Sequence, residues 1–388
     1  GRSTSLQLKR PGRAEAQHHP DPRAGSAVGI ALRVEGRVMD RRRFARRAGA
    51  ACLASALSPF AWGSSEEATS AKTVEILVAD PHAHPMHFFA SRSPDRTTPS
   101  LVTLNKAGVA LSAFAAVGDL TYLRGNFPTP FQDTKRQLEQ VRRLEESGQL
   151  KIVRTATDLA ALTERKACWG LMAIEGADAL EGKLSYLDAF FAYGVRQITL
   201  LHERDNELGF NQRSRADGSL TDFGIETVEK MNALGMLVDV AHAGAKTLQG
   251  IAAVTTRPLI DSHTSVLLTA EREAASRRLR SWQEMEWIAK TGGVVCTWPF
   301  AHAAKNVERT TLGHWAEEIA LMKSRLGIAH CGLGTDGGGG LPRVIDGWNS
   351  IASLPLLIHA MREAGLSQED IAAFVGGNYL RVLAKCLA

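Results

Sequence analysis

Cysteine is scarce in this chain: five in 388 residues, with no Cys-x-x-Cys pair among them. Cys168, Cys296, Cys331 and Cys386 are scattered, and their spacing gives no disulfide framework. Three of them lie in apolar surroundings, where a free cysteine packs as a small core residue. No internal repeat is visible. An excess of basic charge is also missing from most of the chain. The net charge of +5 belongs to residues 1–63, which carry 12 Lys+Arg against 4 Asp+Glu. Beyond them lie 34 of the 46 basic and 37 of the 41 acidic residues, which argues against a nucleic-acid partner.

What is present is enough apolar matter, 44% of residues, to bury a large core as one big α/β domain or two smaller ones. The first 63 residues stand apart. Residues 1–38 are rich in Arg, Gly, Ala and Pro without an apolar period, and read as disordered or as sequence translated upstream of a start at Met39. From Met39 the chain runs Asp40-Arg41-Arg42-Arg43-Phe44-Ala45-Arg46-Arg47, then a small, weakly apolar run from Ala48 to Trp62. That run is too short to span a membrane, which takes ~20 apolar residues. A charged start, a short apolar segment and Ala61-Trp62-Gly63 make residues 39–63 a secretory signal of the twin-arginine type, with a periplasmic or exported product expected. Cys52 falls too early in the apolar run to be a lipoprotein cysteine.

Beyond residue 63, short β-rich runs alternate with longer amphipathic stretches, the pattern of parallel strands with crossover helices. Eight strands are predicted: 74–79, 110–115, 170–174, 196–201, 237–241, 259–261, 293–297 and 331–334, with a weak side element over 151–154. Helices are predicted at about 130–148, 183–193, 244–253, 282–291, 312–326 and 350–364, and one from a Thr221-Asp222 cap to Gly235. Two helices close the chain after the eighth strand, the last beginning near Gly376-Gly377-Asn378. This arithmetic predicts a (β/α)₈ barrel over residues 64–388, with its site at the C-terminal strand ends.

The strand ends carry the chemistry. The first gives His82 and His84, two imidazoles that side-chain alternation directs to one side. The third gives Glu175, the fourth His202, the fifth His242, the sixth His263 and the eighth Asp336. Five of the ten histidines beyond the leader fall at such positions. Singly, each has an ordinary alternative: an interior histidine, a turn aspartate, a glutamate beside a helix cap. Together, imidazoles and carboxylates crowded into one ring need a cation to be tolerated. Without thiolate the set suits Zn²⁺ or a similar divalent ion. Five or six ligands exceed one catalytic zinc and fit two ions ~3.5–4 Å apart, for which Glu175, the one candidate glutamate, is the natural bridge.

The same stretches resemble the membrane dipeptidase (renal-type dipeptidase) family of the amidohydrolase superfamily. Thr199-Leu200-Leu201-His202 resembles its T-L-T-H. Leu220-Thr221-Asp222-Phe223-Gly224, Met231-Asn232, Leu234-Gly235-Met236 and Val238-Asp239-Val240-Ala241-His242 resemble L-T-x-F-G…M-N-x-L-G-M-x-V-D-L-S-H. Ser262-His263-Thr264-Ser265 resembles S-H-S-S, Thr291-Gly292-Gly293-Val294-Val295 resembles T-G-G-V-V, and Gly334-Thr335-Asp336 resembles G-S-D. Gly376-Gly377-Asn378-Tyr379-Leu380-Arg381-Val382 resembles the closing G-G-N-x-L-R-V.

The resemblance, covering about residues 74–384, implies a dipeptidase with two Zn²⁺ ions per chain. One ion would be held by His82, His84, Glu175 and Asp336, the other by Glu175, His242 and His263. A hydroxide bridging the ions would attack the peptide carbonyl. Asp336 would move the proton and His202 would stabilise the oxyanion. An arginine after the sixth strand, Arg277 or Arg278 (with Arg272 as the third choice), would hold the dipeptide carboxylate. A homodimer is also implied. The chain departs from the family in three places: His82-Ala83-His84 stands for H-x-D, Gly338 stands for a second aspartate, and Glu203-Arg204-Asp205-Asn206 replaces an N-P-W-type run. Two other readings stay open: a superfamily hydrolase acting on another amide, a β-lactam or a lactone, and a binding protein on the same scaffold.

Overall fold

The computed structural model describes residues 76–85, 97–124, 128–164, 166–216, 218–268, 278–304 and 307–388. The leader, the signal at 39–63, Val74, Arg272 and Arg277 lie outside the described residues.

In chain order the strands are β1 (Val78–Ala83), β2 (Val109–Val117), β3 (Trp169–Glu175), β4 (Val195–Thr199), β5 (Leu237–Asp239), β6 (Ile260–Thr264), β7 (Val294–Thr297), β8 (His302–Ala304), β9 (Val307–Arg309) and β10 (Cys331–Leu333). Eight of them form one parallel sheet in the order β1-β2-β3-β4-β5-β6-β7-β10, and β8 with β9 makes a separate antiparallel hairpin. The sheet's two edges meet where Ala83 bridges Gly337, His84 N–H donates to Gly337 O at 2.7 Å, and Asp336 N–H donates to His82 O at 3.1 Å. These contacts bring the ends of the sheet round into a barrel.

The expected strands are found with small shifts, except the first. The apolar run predicts 74–79, whereas β1 reaches Ala83. Asp80 does not stop it because its carboxylate is buried and satisfied: Oδ1 accepts from the amides of Thr335 (3.1 Å) and His82 (3.3 Å). The side element at 151–154 is a single bridge between Ile152 and Gly170. Three α-helices follow β10 rather than two, since Ser367 opens a capping box with Asp370 and starts an additional turn at Gln368–Ala372. The β8–β9 hairpin has no counterpart among the elements predicted from the sequence.

The helices end where their caps dictate. Thr221 accepts from Gly224 N–H at the start of Asp222–Leu234, and Gly235 closes it in the left-handed conformation (φ 74°). Most of the core lies between the sheet and the helices around it. Inside the barrel a second cluster gathers Ala79, Leu111, Ala113, Leu171, Ala173, Leu237, Ile260, Val294 and Cys296. Tyr379, Val382, Leu383 and Cys386 on one face of the final helix, Asn378–Leu387, join that cluster and close it from below. A largely apolar interior plugged at one end leaves the other end, where the strands finish, for the ionisable side chains. All four cysteines in the described residues are free and buried.

Candidate metal centre

Parallel strands in register end at one level, so the side chains that finish them meet. His82, His84, Glu175, His202, His242, His263 and Asp336 are all buried there. Glu175 sits at the middle: Oε1 lies 3.3 Å from His82 Nε2, 3.1 Å from His242 Nε2 and 3.6 Å from His263 Nε2. Its Oε2 lies 3.3 Å from His84 Nε2 and 3.4 Å from His202 Nε2. Asp336 Oδ1 is 3.5 Å from His84 Nε2 and 3.9 Å from His82 Nε2. Each of the seven strand-end candidates thus faces a common centre.

The outward ring nitrogens decide which atom is offered. His84 Nδ1 lies 3.0 Å from Ala115 O, an acceptor only, so Nδ1 stays protonated and Nε2 is the atom that faces the centre and can exchange its proton for a cation. His202 Nδ1 lies 2.7 Å from Asp119 Oδ1, and His263 Nδ1 lies 2.8 Å from Ser262 Oγ. Nε2 of His242 and Nε2 of His263 face each other at 2.9 Å, and those of His82 and His84 at 3.2 Å. Two bare imidazole nitrogens this close repel unless a proton or a cation lies between them. His82 Nδ1 is buried and has no hydrogen-bond partner among the described residues. Three overlapping sets of donor atoms fall within 4.8 Å of one another: His82–Glu175–His263, His82–His84–Asp336 and Glu175–His202–His242. The residues present fit a divalent cation, and by donor number more than one.

Backbone strain is concentrated here. Three non-glycine residues in the described chain have positive φ, and two are His242 (64°) and Asp336 (45°). Such conformations cost ~1–3 kcal/mol each and persist where the surroundings overdetermine them. Close backbone approach also sets the eighth strand end. A Cβ on Gly334 would stand 1.8 Å from Ser262 O. Gly338, with φ 81°, would bring one 2.3 Å from His84 O, so the aspartate of the motif this stretch resembles does not fit this backbone.

The charges are strongly interdependent. Burial would raise the Glu175 pKa, but the His202 and His82 imidazoles beside it hold it well below the ordinary carboxylate range. Burial, together with Arg278, holds His242 well below the usual histidine value, and burial with the His82 imidazole close by does the same to His263. Burial works against protonating His84 too, yet its bonds to Asp336 and Glu175 push it up to about 9. A cation entering the site must displace that proton. Apparent affinity for Zn²⁺ is therefore expected to rise with pH, by about tenfold per unit for each proton displaced, and to level off near pH 9. Competition titrations at several pH values, with proton release followed in buffers of different ionisation enthalpy, check this. A pH-independent affinity would contradict it.

Two groups at the centre are absent from the candidates drawn from the sequence. Asp119, fully buried just past β2, takes His202 Nδ1 on one oxygen and the Glu203 amide, at 3.3 Å, on the other. It stands at a strand end like the others, so the same rule could have found it. Glu203 follows His202 and pairs with Arg278, whose Nη1 lies 3.0 Å from His242 Nε2. Of the arginines proposed for the substrate carboxylate, Arg278 therefore stands at the centre, while Arg277 and Arg272 lie outside the described residues.

A (β/α)₈ barrel with an imidazole–carboxylate ring at its C-terminal mouth defines the class of metal-dependent hydrolases. Comparison with known proteins narrows the class. The profile of the membrane dipeptidase family (peptidase family M19) matches residues 91–387, and the chain belongs to that family of metallodipeptidases. An uncharacterised dipeptidase of Schizosaccharomyces pombe is 30% identical over 71% of this chain and 68% of its own length. The dipeptidase tcpJ of Claviceps purpurea is 28% identical over 65% of this chain, and the matched stretch spans 59% of it. Among solved structures, the probable dipeptidase PvdM of Pseudomonas aeruginosa superposes with a TM-score of 0.68 at 22% identity, covering 80% of this chain and 96% of that one. A metallo peptidase of Rhodobacter sphaeroides, solved with a phosphinate mimic of the dipeptide L-Ala-D-Ala, gives a TM-score of 0.66 at 18% identity, covering 80% and 99%. These structures share the fold.

Proposed function

We propose that this chain is a zinc-dependent dipeptidase that holds two divalent ions. The carrying observation is the convergence of five imidazole Nε2 atoms on Glu175, with Asp336 beside two of them. His82, His84, Glu175 and Asp336 would hold one ion, and Glu175, His242 and His263 the other. Bound there, the ions supply Lewis acidity, which brings the pKa of water down to ~7 and polarises a carbonyl.

The chain's own groups do the rest. Asp336 takes the proton of the attacking water and delivers it to the leaving amine. His202 Nε2 borders the same Glu175 oxygen as His84. Burial opposes protonation of His202, but Glu175 and Asp119 outweigh that and raise its pKa, which favours the doubly protonated ring whose Nε2–H can donate to an oxyanion. Arg278, its side chain 19% exposed, offers a guanidinium to the substrate carboxylate. Export through the twin-arginine route, a periplasmic location and a homodimer belong to the same proposal and rest on the sequence. Among the described residues, no helix is long and apolar enough to cross a membrane.

The test is a screen of L,L- and L,D-dipeptides with metal analysis of the same sample. Hydrolysis of free dipeptides and loss of the rate when either terminus is blocked are expected, with about two zinc ions per chain. An unchanged rate on blocked substrates would favour another amide, a β-lactam or a lactone. Absence of bound metal after purification from zinc-supplemented medium would favour a binding protein.

A further inference from the structure

We propose that Glu203 positions the Arg278 guanidinium and thereby sets how strongly the site takes a ligand with a free C-terminal carboxylate. The inference rests on the dipeptidase reading and extends it to a residue lying where this chain departs from the family's usual run.

Glu203 is held from three sides. Its amide donates to Asp119 Oδ2 at 3.3 Å, its Oε2 accepts from Arg213 Nη1 at 2.5 Å, and its Oε1 pairs with Arg278 Nη2. The loop that carries Arg213 is itself pinned to the two neighbouring strand ends. Asn211 Nδ2 donates to His202 O at 3.1 Å, and Gln212 N–H donates to His242 O at 2.7 Å. The result is an ordered chain of charges, Arg213 to Glu203 to Arg278, ending at the metal centre.

Arg278 needs such a partner. A guanidinium at the rim of a site built for divalent cations is repelled by them, and it has few places to go when mostly buried. Glu203 offsets that repulsion and fixes one donor, Nη2. The other, Nη1, points at His242 Nε2 from 3.0 Å. Whichever cation takes the His242 lone pair leaves Nη1 without that acceptor and free to meet a carboxylate entering the same mouth. Glu203 Oε1 also stands 3.9 Å from His202 Nε2, so the pair borders the place where the reacting carbonyl would sit. Orientation by an already paired neighbour lowers the ordering cost of binding.

The test measures binding of a dipeptide phosphinate and of its C-terminal amide to the zinc-loaded full chain, by calorimetry, for wild type and Glu203→Gln. The comparison between two ligands in one preparation does not depend on the fraction folded. Glu203→Gln is expected to weaken the free acid by about tenfold or more, the worth of a charge-assisted bond, and the amide by less than about threefold. Equal weakening of both ligands would reduce Glu203 to a structural role and overturn the assignment. Tighter binding of the acid would make Glu203 a competitor for Arg278 and overturn it as well. Failure of the dipeptidase reading shows separately, as zinc-loaded wild type that hydrolyses no dipeptide, and the assignment falls with it.

Discussion

Asp336→Asn is expected to keep its fold and lose about 10²–10⁴-fold in kcat on a dipeptide, the usual worth of a positioned general acid–base. Asparagine preserves the shape and one oxygen donor but cannot accept and return a proton. The position is also tightly specified. Asp336 N–H donates to His82 O, its own carbonyl accepts from Gly339 N–H at 2.9 Å across a turn in which its φ is 45°, and its Oδ1 is 3.5 Å from His84 Nε2. A small relaxation would therefore misplace the carboxylate, and the side chain has little room to find another arrangement. The measurement is kcat at saturating dipeptide, with metal content determined on the same sample. A rate within about threefold of wild type would remove Asp336 from the proton path. Loss of metal together with rate would make it a ligand alone.

Arg280→Ala is expected to destabilise the fold by about 3–5 kcal/mol, because it leaves buried charges and carbonyls uncompensated. Arg280 is fully buried. Its Nε donates to Asp261 Oδ2 at 2.7 Å, Nη1 to Ala243 O at 2.5 Å and Glu284 Oε1 at 3.3 Å, and Nη2 to Val240 O at 2.5 Å. Burial pushes Asp261 up to about 6 even though Arg280 pulls the other way, so the carboxylate is already costly to keep ionised. Without the guanidinium, Asp261 and Glu284 lose their counter-charge, and two carbonyls lose donors that water cannot replace in a closed site. Those carbonyls flank His242, which ties destabilisation to the metal centre. Urea unfolding should show the loss in midpoint, and zinc affinity should fall in the same variant. A midpoint shift equivalent to less than about 1 kcal/mol would show that the cavity floods or collapses to compensate. Lysine is not expected to rescue the site, since it cannot reach four acceptors from one planar fork.

Much of this architecture is legible in the order of the residues. A strand buried on both faces is a short apolar run, and in a parallel barrel whatever follows it lies at the mouth. That rule locates His82, His84, Glu175, His202, His242, His263 and Asp336 without any knowledge of their neighbours. Capping chemistry locates the helix from Asp222 to Leu234 equally well. The rule slips where polarity is internal to the fold. Asp80 reads as the end of a strand because its partner, the Thr335 amide, is 255 residues away. Asp119 escapes notice because its role depends on a histidine 83 residues on. Glu203 is visible as a departure from the family's run, but not as the partner of Arg278, 75 residues further along.

The amino-acid sequence by itself determined which residue types stand at the strand ends, and hence that this barrel carries an imidazole–carboxylate ring. Periodicity and local capping are short-range properties, readable within a few residues. Only the tertiary structure decided which nitrogen each imidazole offers, which backbone is bent to aim it, and which carboxylate holds Arg278. Those depend on hydrogen-bond acceptors delivered by other strands, and no local pattern specifies what a neighbour from a distant part of the chain will supply.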